Sequence, residues 1–222
     1  MLLVSSYIRH MDKATTCDQF LRGVTTYIRK RYQPAMLPRL AEHPEDRLTC
    51  SVVVFSRLCR ELWMVGDCQA LAFAEASHYQ LFENPKPAEA ELAAQRATEV
   101  RRLLAEGHRV DDLCRNDLAR PTIIPRMLET MRQQNIGYSV VDGFAIPRRH
   151  VRIIPFDFQP WQIVLATDGY PFLRPTLAES EQLLRRQHEQ DPLNIGPAFQ
   201  ATKAFHPDND SFDDRAYIRI SI

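Results

Sequence analysis

Hydrophobic positions change their period three times along the chain. Over the first 46 residues they recur at helical spacing, with Phe20, Leu21, Val24, Tyr27 and Ile28 on one face, and the stretch ends near Pro34 and Pro38. Thr49 to Phe55 (TCSVVVF) is then a β-branched run, and Glu61 to Phe73 (ELWMVGDCQALAF) is a second. The short polar link from Ser56 to Arg60 predicts an antiparallel hairpin, with Tyr79 to Phe82 as a third strand.

From Pro87 to Gly107 the spacing is helical again. Pro87 suits a first-turn position, Ala93, Ala97, Val100 and Leu104 mark one face, and Gly107 suits the C-terminal cap. Asp111 to Asn135 predicts one or two further helices, with Ile124, Met127, Leu128 and Met131 on one side. The last third returns to strands at Tyr138 to Val141, Val151 to Phe156, Gln162 to Thr167 and Arg215 to Ile220. One helix is inserted between the last two, announced by a T-x-x-E capping box of Thr176 and Glu179 ahead of Leu183 and Leu184. Strand runs with helices inserted in groups predict an α+β fold, helices packed outside sheets, in a single domain spanning residues 1–222.

Composition narrows the function classes. A chain of 222 residues can bury roughly 70% of its unfolded surface and needs no disulfide staples. Lys plus Arg and Asp plus Glu both number 28, so the basic footprint of a nucleic-acid binder is missing. No apolar run approaches the ~20 residues that span a bilayer, and MLLVSSYIRHMDK meets charge too early for a secretory signal, so no membrane partner is expected. The five cysteines, at 17, 50, 59, 68 and 114, contain no C-x-x-C spacing, which favours reduced thiols and a cytoplasmic setting. The seven glycines lie too far apart for a dinucleotide loop or a Walker phosphate loop, and G-x-S-x-G and H-E-x-x-H are also absent.

Three acidic residues sit where predicted strands begin, turn or end. Asp67 follows Gly66 in MVGDCQ, Asp168 with Gly169 ends QIVLATDGYP, and Asp213 with Asp214 opens SFDDRAYIRI. If the last two strands are antiparallel neighbours, Asp168 and Asp213 share an edge. Paired carboxylates there would repel unless one kept its proton or a cation intervened, and hard oxygen ligands suit Mg²⁺ or Mn²⁺ rather than zinc. Singly, each feature also reads as structure: an Asp-Gly after a strand is a turn, and an Asp pair before a strand is ordinarily solvated.

Taken in order, SVVVFSRLCRELWMVGDCQALAF, IVLATDGYPFL and SFDDRAYIRI resemble three successive signatures of the metal-dependent serine/threonine phosphatases, the protein phosphatase 2C (PPM-type) family. In that family a strand pair leads into V-G-D-S-R, a later strand ends in L-A-S-D-G before a capped helix, and the last strand opens with D-N or D-D. The resemblance covers roughly residues 14 to 222. It implies an αββα four-layer sandwich and a hydrolase that attacks a phosphomonoester of phosphoserine or phosphothreonine with a water activated by Mg²⁺ or Mn²⁺. Asp168 and Asp213 would be ligands of one metal ion and Asp67 would help hold an additional one. A phosphoprotein substrate or a protein partner follows, and Cys68 has no catalytic part.

Departures from the pattern set the alternative. The family's first signature, a strand ending in an acidic D-G that bridges two metals, has no counterpart before the first helix. Asp142-Gly143 comes in the wrong order and reads as a turn, no arginine matches the family's phosphate-gripping one, and Gln69 replaces the arginine of V-G-D-S-R. Either the chain is N-terminally incomplete, with a bared sheet edge inviting self-association, or the domain is a catalytically inactive phosphatase-like module for binding or regulation.

Other motifs carry less. His206-Pro207-Asp208 matches a chaperone tripeptide but lacks its two flanking helices. Asp208, Asp210 and Asp213 fail as an EF-hand, with Arg219 where position 12 needs an acid, and the seven histidines show no ligand spacing.

Overall fold

The computed structural model describes residues 2–222. Helix α1 spans Leu2–His10 and α2 spans Cys17–Arg29; Thr16 and Gln19 close a capping box at the start of α2. Phe20, Leu21, Val24 and Ile28 are buried as the spacing predicts. A short helix α3 (Leu37–Glu42) follows, flanked by two single 3-10 turns, each opening on a proline.

Two antiparallel sheets form the centre. The first has the order β1-β2-β5, from Val52–Ser56, Glu61–Val65 and Arg152–Pro155. The second has the order β4-β3-β6-β7, from His78–Phe82, Gln69–Glu75, Gln162–Ala166 and Tyr217–Ser221. Strand alternation explains the layers. Val54, Trp63 and Val65 point outward onto α1 and α2, whereas Leu62 and Met64 point inward and meet Ala70, Ala72 and Phe82 of the second sheet. On the far side of that sheet Leu71, Phe73 and Val164 pack with Tyr170 and Leu173. Central strands are thus buried on both faces, which is why they read as continuous apolar runs.

The expected hairpin of β1 and β2 is present, but Glu61 to Phe73 is not one strand. The chain leaves the first sheet at Gly66, whose φ of +81° is a left-handed conformation suited to glycine, and enters the second at Gln69. Consequently Tyr79 to Phe82 extends β3 and not the first hairpin. Tyr138 to Val141 is not a strand either; it makes single bridges from Tyr138 to Gln134 and from Val141 to Cys50. Side chains replace the ladder there: Val140 N–H donates to Asn135 Oδ1 (3.0 Å), and Ser139 Oγ both accepts from Gly66 N–H and donates to His150 C=O.

The middle helices are α4 (Glu89–Ala105), α5 (Val110–Arg115) and α6 (Arg120–Met131). Gly107 caps α4 at φ +95°, with His108 N–H on Leu103 C=O and Gly107 N–H on Leu104 C=O, a Schellman closure. Pro87 lies two residues before the helix rather than in its first turn. In α6 the covered face runs from Ile123 through Met127 to Met131, while Ile124 and Leu128 are 42% and 41% exposed, a rotation of one position from the predicted face. Helix α7 (Leu177–Gln190) begins at the predicted capping box of Thr176 and Glu179. Asp142 and Gly143 form a turn in which the buried Asp142 carboxylate pairs with Arg47 (3.0 Å). No helix among the described residues is long and apolar enough to cross a membrane.

Candidate functional site

Strand register brings two of the predicted carboxylates together. In the β3–β6 pair Gln69 lies opposite Ala166. Two positions further along each strand, at the same edge, the residues are Asp67 and Asp168. Carboxylate oxygens of Asp67, Asp168 and Glu89, the first residue of α4, lie within 4.8 Å of one another. Asp67 is buried; Glu89 and Asp168 are half-buried.

Asp213 is close but outside this trio. Strands β6 and β7 are antiparallel neighbours, as expected, but the register sets Ala166 opposite Tyr217, so Asp213 starts four residues before that partner and Asp168 two after. The offset leaves Asp213 beyond the direct cross-strand position. Its carboxylate instead pairs with Lys203 (2.6 Å), while still lining the cavity of about 280 Å³ that Asp67, Glu89 and Asp168 share.

Surrounding groups fix each member of the site. The Gly66 C=O accepts from Asn84 Nδ2 (2.8 Å), and its N–H donates to Ser139 Oγ (3.2 Å), so the crossing that carries Asp67 is held on both sides. A Cβ on Gly66 would fall on the Ser51 side chain, with Ser51 Cα at 3.0 Å, so a larger residue cannot enter without displacing it. Ser51 Oγ donates to Asp67 Oδ1 and accepts from Asp67 N–H (3.3 Å). Gln69 Nε2 donates to the carbonyl of Tyr170 (2.9 Å), bracing the turn that carries Asp168. Gly169 is packed under the Asp214 carbonyl, which an added Cβ would meet at 2.5 Å.

Electrostatics separate the three carboxylates. Burial pushes Asp67 up, but the Lys86 ammonium and the Ser51 hydrogen bond outweigh it and hold the group below its ordinary value. Asp168 has no such partner. Burial first, then the charge of Asp67, lift its pKa to about 7, with Asp213 and Glu89 adding to the effect and Lys86 opposing it. Glu89 is raised by burial and by Asp67. Asp67 Oδ2 is buried, faces the Lys86 ammonium, and accepts no hydrogen bond of good geometry. Cys68, next along the chain, is pushed up to about 12 by burial and then by Asp67, so it is an inert thiol.

Sequence reasoning missed Glu89, Lys86 and Ser51. An acid in the first turn of a helix is a generic signal, since it complements the helix dipole. Only the way α4 abuts the strand edge gives Glu89 its neighbours. The arrangement can hold a hard divalent cation on three carboxylates from three different elements. No family model matches this chain, and neither a curated protein nor a solved structure matches it.

Proposed function

We propose that the acidic cavity binds Mg²⁺ or Mn²⁺ and that the chain is a phosphatase 2C-like hydrolase of phosphoserine or phosphothreonine in proteins. The observation that carries this reading is the register of β3 against β6, which sets the aspartate of VGDCQ opposite that of LATDG. Two facing antiparallel sheets with α1 and α2 on one outer face support the αββα layering of that family. The donors fit the ion. They are carboxylates only, and Asp168, raised by burial and by the charge of Asp67, has a pKa of about 7 that a cation would relieve.

Asp67, Asp168 and Glu89 would hold the ion, and Asp213 would stand behind them with Lys203. Bound there, a divalent ion supplies Lewis-acid polarisation of the phosphoryl group and activation of a water. The protein's own part is positional. Gln69 and Gly169 fix the Asp168 turn, Ser51 orients Asp67, and Lys86 must leave Asp67 Oδ2 or share it.

A specific observation favours a second reading. Lys86 and Lys203 already neutralise Asp67 and Asp213, as they would in a phosphatase-like module that binds without catalysis. Hydrolysis of p-nitrophenyl phosphate with Mn²⁺, with EDTA, and by Asp168→Asn decides between them. Metal-dependent turnover that is lost in the variant is expected. No turnover from folded protein that binds Mn²⁺ selects the module.

A further inference from the structure

A second cavity, of about 390 Å³, lies on the other side of the segment that bears Lys86. Glu83, Asn84 and Pro85 line both this cavity and the acidic one, so the two share a wall. Arg149 and His150 of the 3-10 turn before β5 and Arg152 of β5 itself also line this second cavity, together with Lys86.

The guanidiniums of Arg149 and Arg152 are oriented but not neutralised. Arg149 Nη2 donates to the Ile136 carbonyl (3.2 Å), and Arg152 Nη1 donates to the Glu83 carbonyl while its head lies 5.3 Å from the Phe82 ring centre. Both acceptors are neutral carbonyls. Every ion pair found among the described residues leaves Arg149 and Arg152 out, although the neighbouring Arg148 is paired with Asp18 (2.9 Å). Glu83 is the one acid in the lining, and it too enters none of those pairs. The His150 ring adds Nε2 bonded to the Ile136 carbonyl (2.8 Å), which fixes the ring in the wall. Two held, solvent-reachable guanidiniums facing one concavity are a fork-shaped donor set for an oxyanion.

We infer that this cavity is an anion subsite, which takes a phosphate or carboxylate group carried by the substrate beside its scissile phosphomonoester. Its role as a substrate subsite rests on the hydrolase reading above; anion binding itself does not. Ser139 ties the basic wall to the crossing that carries Asp67, since its hydroxyl accepts from the N–H of Gly66, the residue before Asp67, and donates to the His150 carbonyl (2.8 Å). The substrate class this selects is a phosphopeptide with a second anionic residue near the phosphorylated one.

Calorimetric titration of the whole chain with inorganic phosphate in EDTA isolates the subsite, because without metal the acidic cavity repels the probe. Binding is expected, weakened about tenfold or more in Arg149→Gln/Arg152→Gln and retained in Asp168→Asn. Both arginines are exposed, and thermal unfolding checks that the double variant keeps its fold. Acetate in place of phosphate tells carboxylate from phosphoryl recognition. No heat with either probe, or equal affinity in the double variant, overturns the subsite. In a second arm, the double variant should raise KM for a doubly phosphorylated peptide about tenfold while leaving p-nitrophenyl phosphate turnover unchanged. Phosphate binding without any turnover would sink the hydrolase and leave the subsite standing; turnover with no binding would do the reverse.

Discussion

Replacing Lys86 by methionine removes a charge from the acidic cavity while keeping most of its stem. Asp67 is then a carboxylate with 5% of its side chain exposed and no counter-charge, beside Glu89 and Asp168. Breaking a fully buried ion pair costs about 3–5 kcal/mol. The Lys86 side chain is 37% exposed, so water replaces part of the lost interaction and about 2 kcal/mol is the expected cost in EDTA. With a urea slope of about 2 kcal/mol/M, that moves the unfolding midpoint down by about 1 M. The sign of the pH dependence separates charge from packing. A carboxylate held low by its partner stabilises the fold above the unfolded value of 3.8, and that contribution fades as pH falls. Lys86→Met should therefore differ from the parent fully at pH 8, still almost fully at pH 4.5, and progressively less as pH falls below 3.8. The vacated position also belongs to the proposed cation, so Mn²⁺ should restore the variant, by about 2.7 kcal/mol at a hundredfold excess over Kd. Urea unfolding at pH 3 and 8, with EDTA and with Mn²⁺, reads all of this. An equal loss at both pH values, or no rescue by Mn²⁺, would refute the reasoning.

Two further outcomes follow from the same geometry. For Asp168 the sign runs the other way: its folded pKa of about 7 exceeds the ordinary 3.8, so the folded chain holds a proton that the unfolded chain has released, and stability falls as pH rises between those values. At 1.36 kcal/mol per pH unit the ceiling is about 4 kcal/mol, and water reaching a half-buried group lowers it to ~1–2 kcal/mol. Asp168→Asn should accordingly melt higher than the parent at pH 8 in EDTA and equally near pH 4, and a lower melting temperature at pH 8 would contradict the assignment. Gly66→Ala should cost about 2–4 kcal/mol, because alanine resists φ +81° and its methyl group enters the Ser51 side chain; chemical denaturation showing less than ~1 kcal/mol would mean that the crossing is not held as described.

How much of this was legible depended on whether a signal was local. Capping boxes, the Schellman glycine and the β-branched runs are local, and α7, the end of α4, β1 and β6 stand where the sequence puts them. Glu61 to Phe73 misled because a strand buried on both faces keeps its apolar run through a change of sheet, and only the polar interruption from Gly66 to Gln69 marks the break. Tyr138 to Val141 misled because polar side chains, Asn135 and Ser139, took the backbone partners that a ladder would have supplied. The pairing of β6 with β7 was legible from order alone, but its offset was not, and the offset decides that Asp67 and not Asp213 stands beside Asp168.

Gly66 and Asp67 explain why a site forms at this place at all. A chain that passes from one sheet to the other must leave both ladders for a few residues, and its backbone groups then need side-chain partners. Asn84 and Ser139 supply them, and each belongs to the wall of the basic cavity. The next residue, Asp67, is left to Ser51 and Lys86, on the wall between the two cavities. Withdrawal of Lys86 from Asp67, further into the basic cavity that it already lines, would bare Asp67 for a cation and free the ammonium charge for the anion subsite. One movement of the segment from Glu83 to Pro87 would thus prepare both pockets together, so occupancy of the anion subsite should favour cation binding, and the reverse, by the same factor.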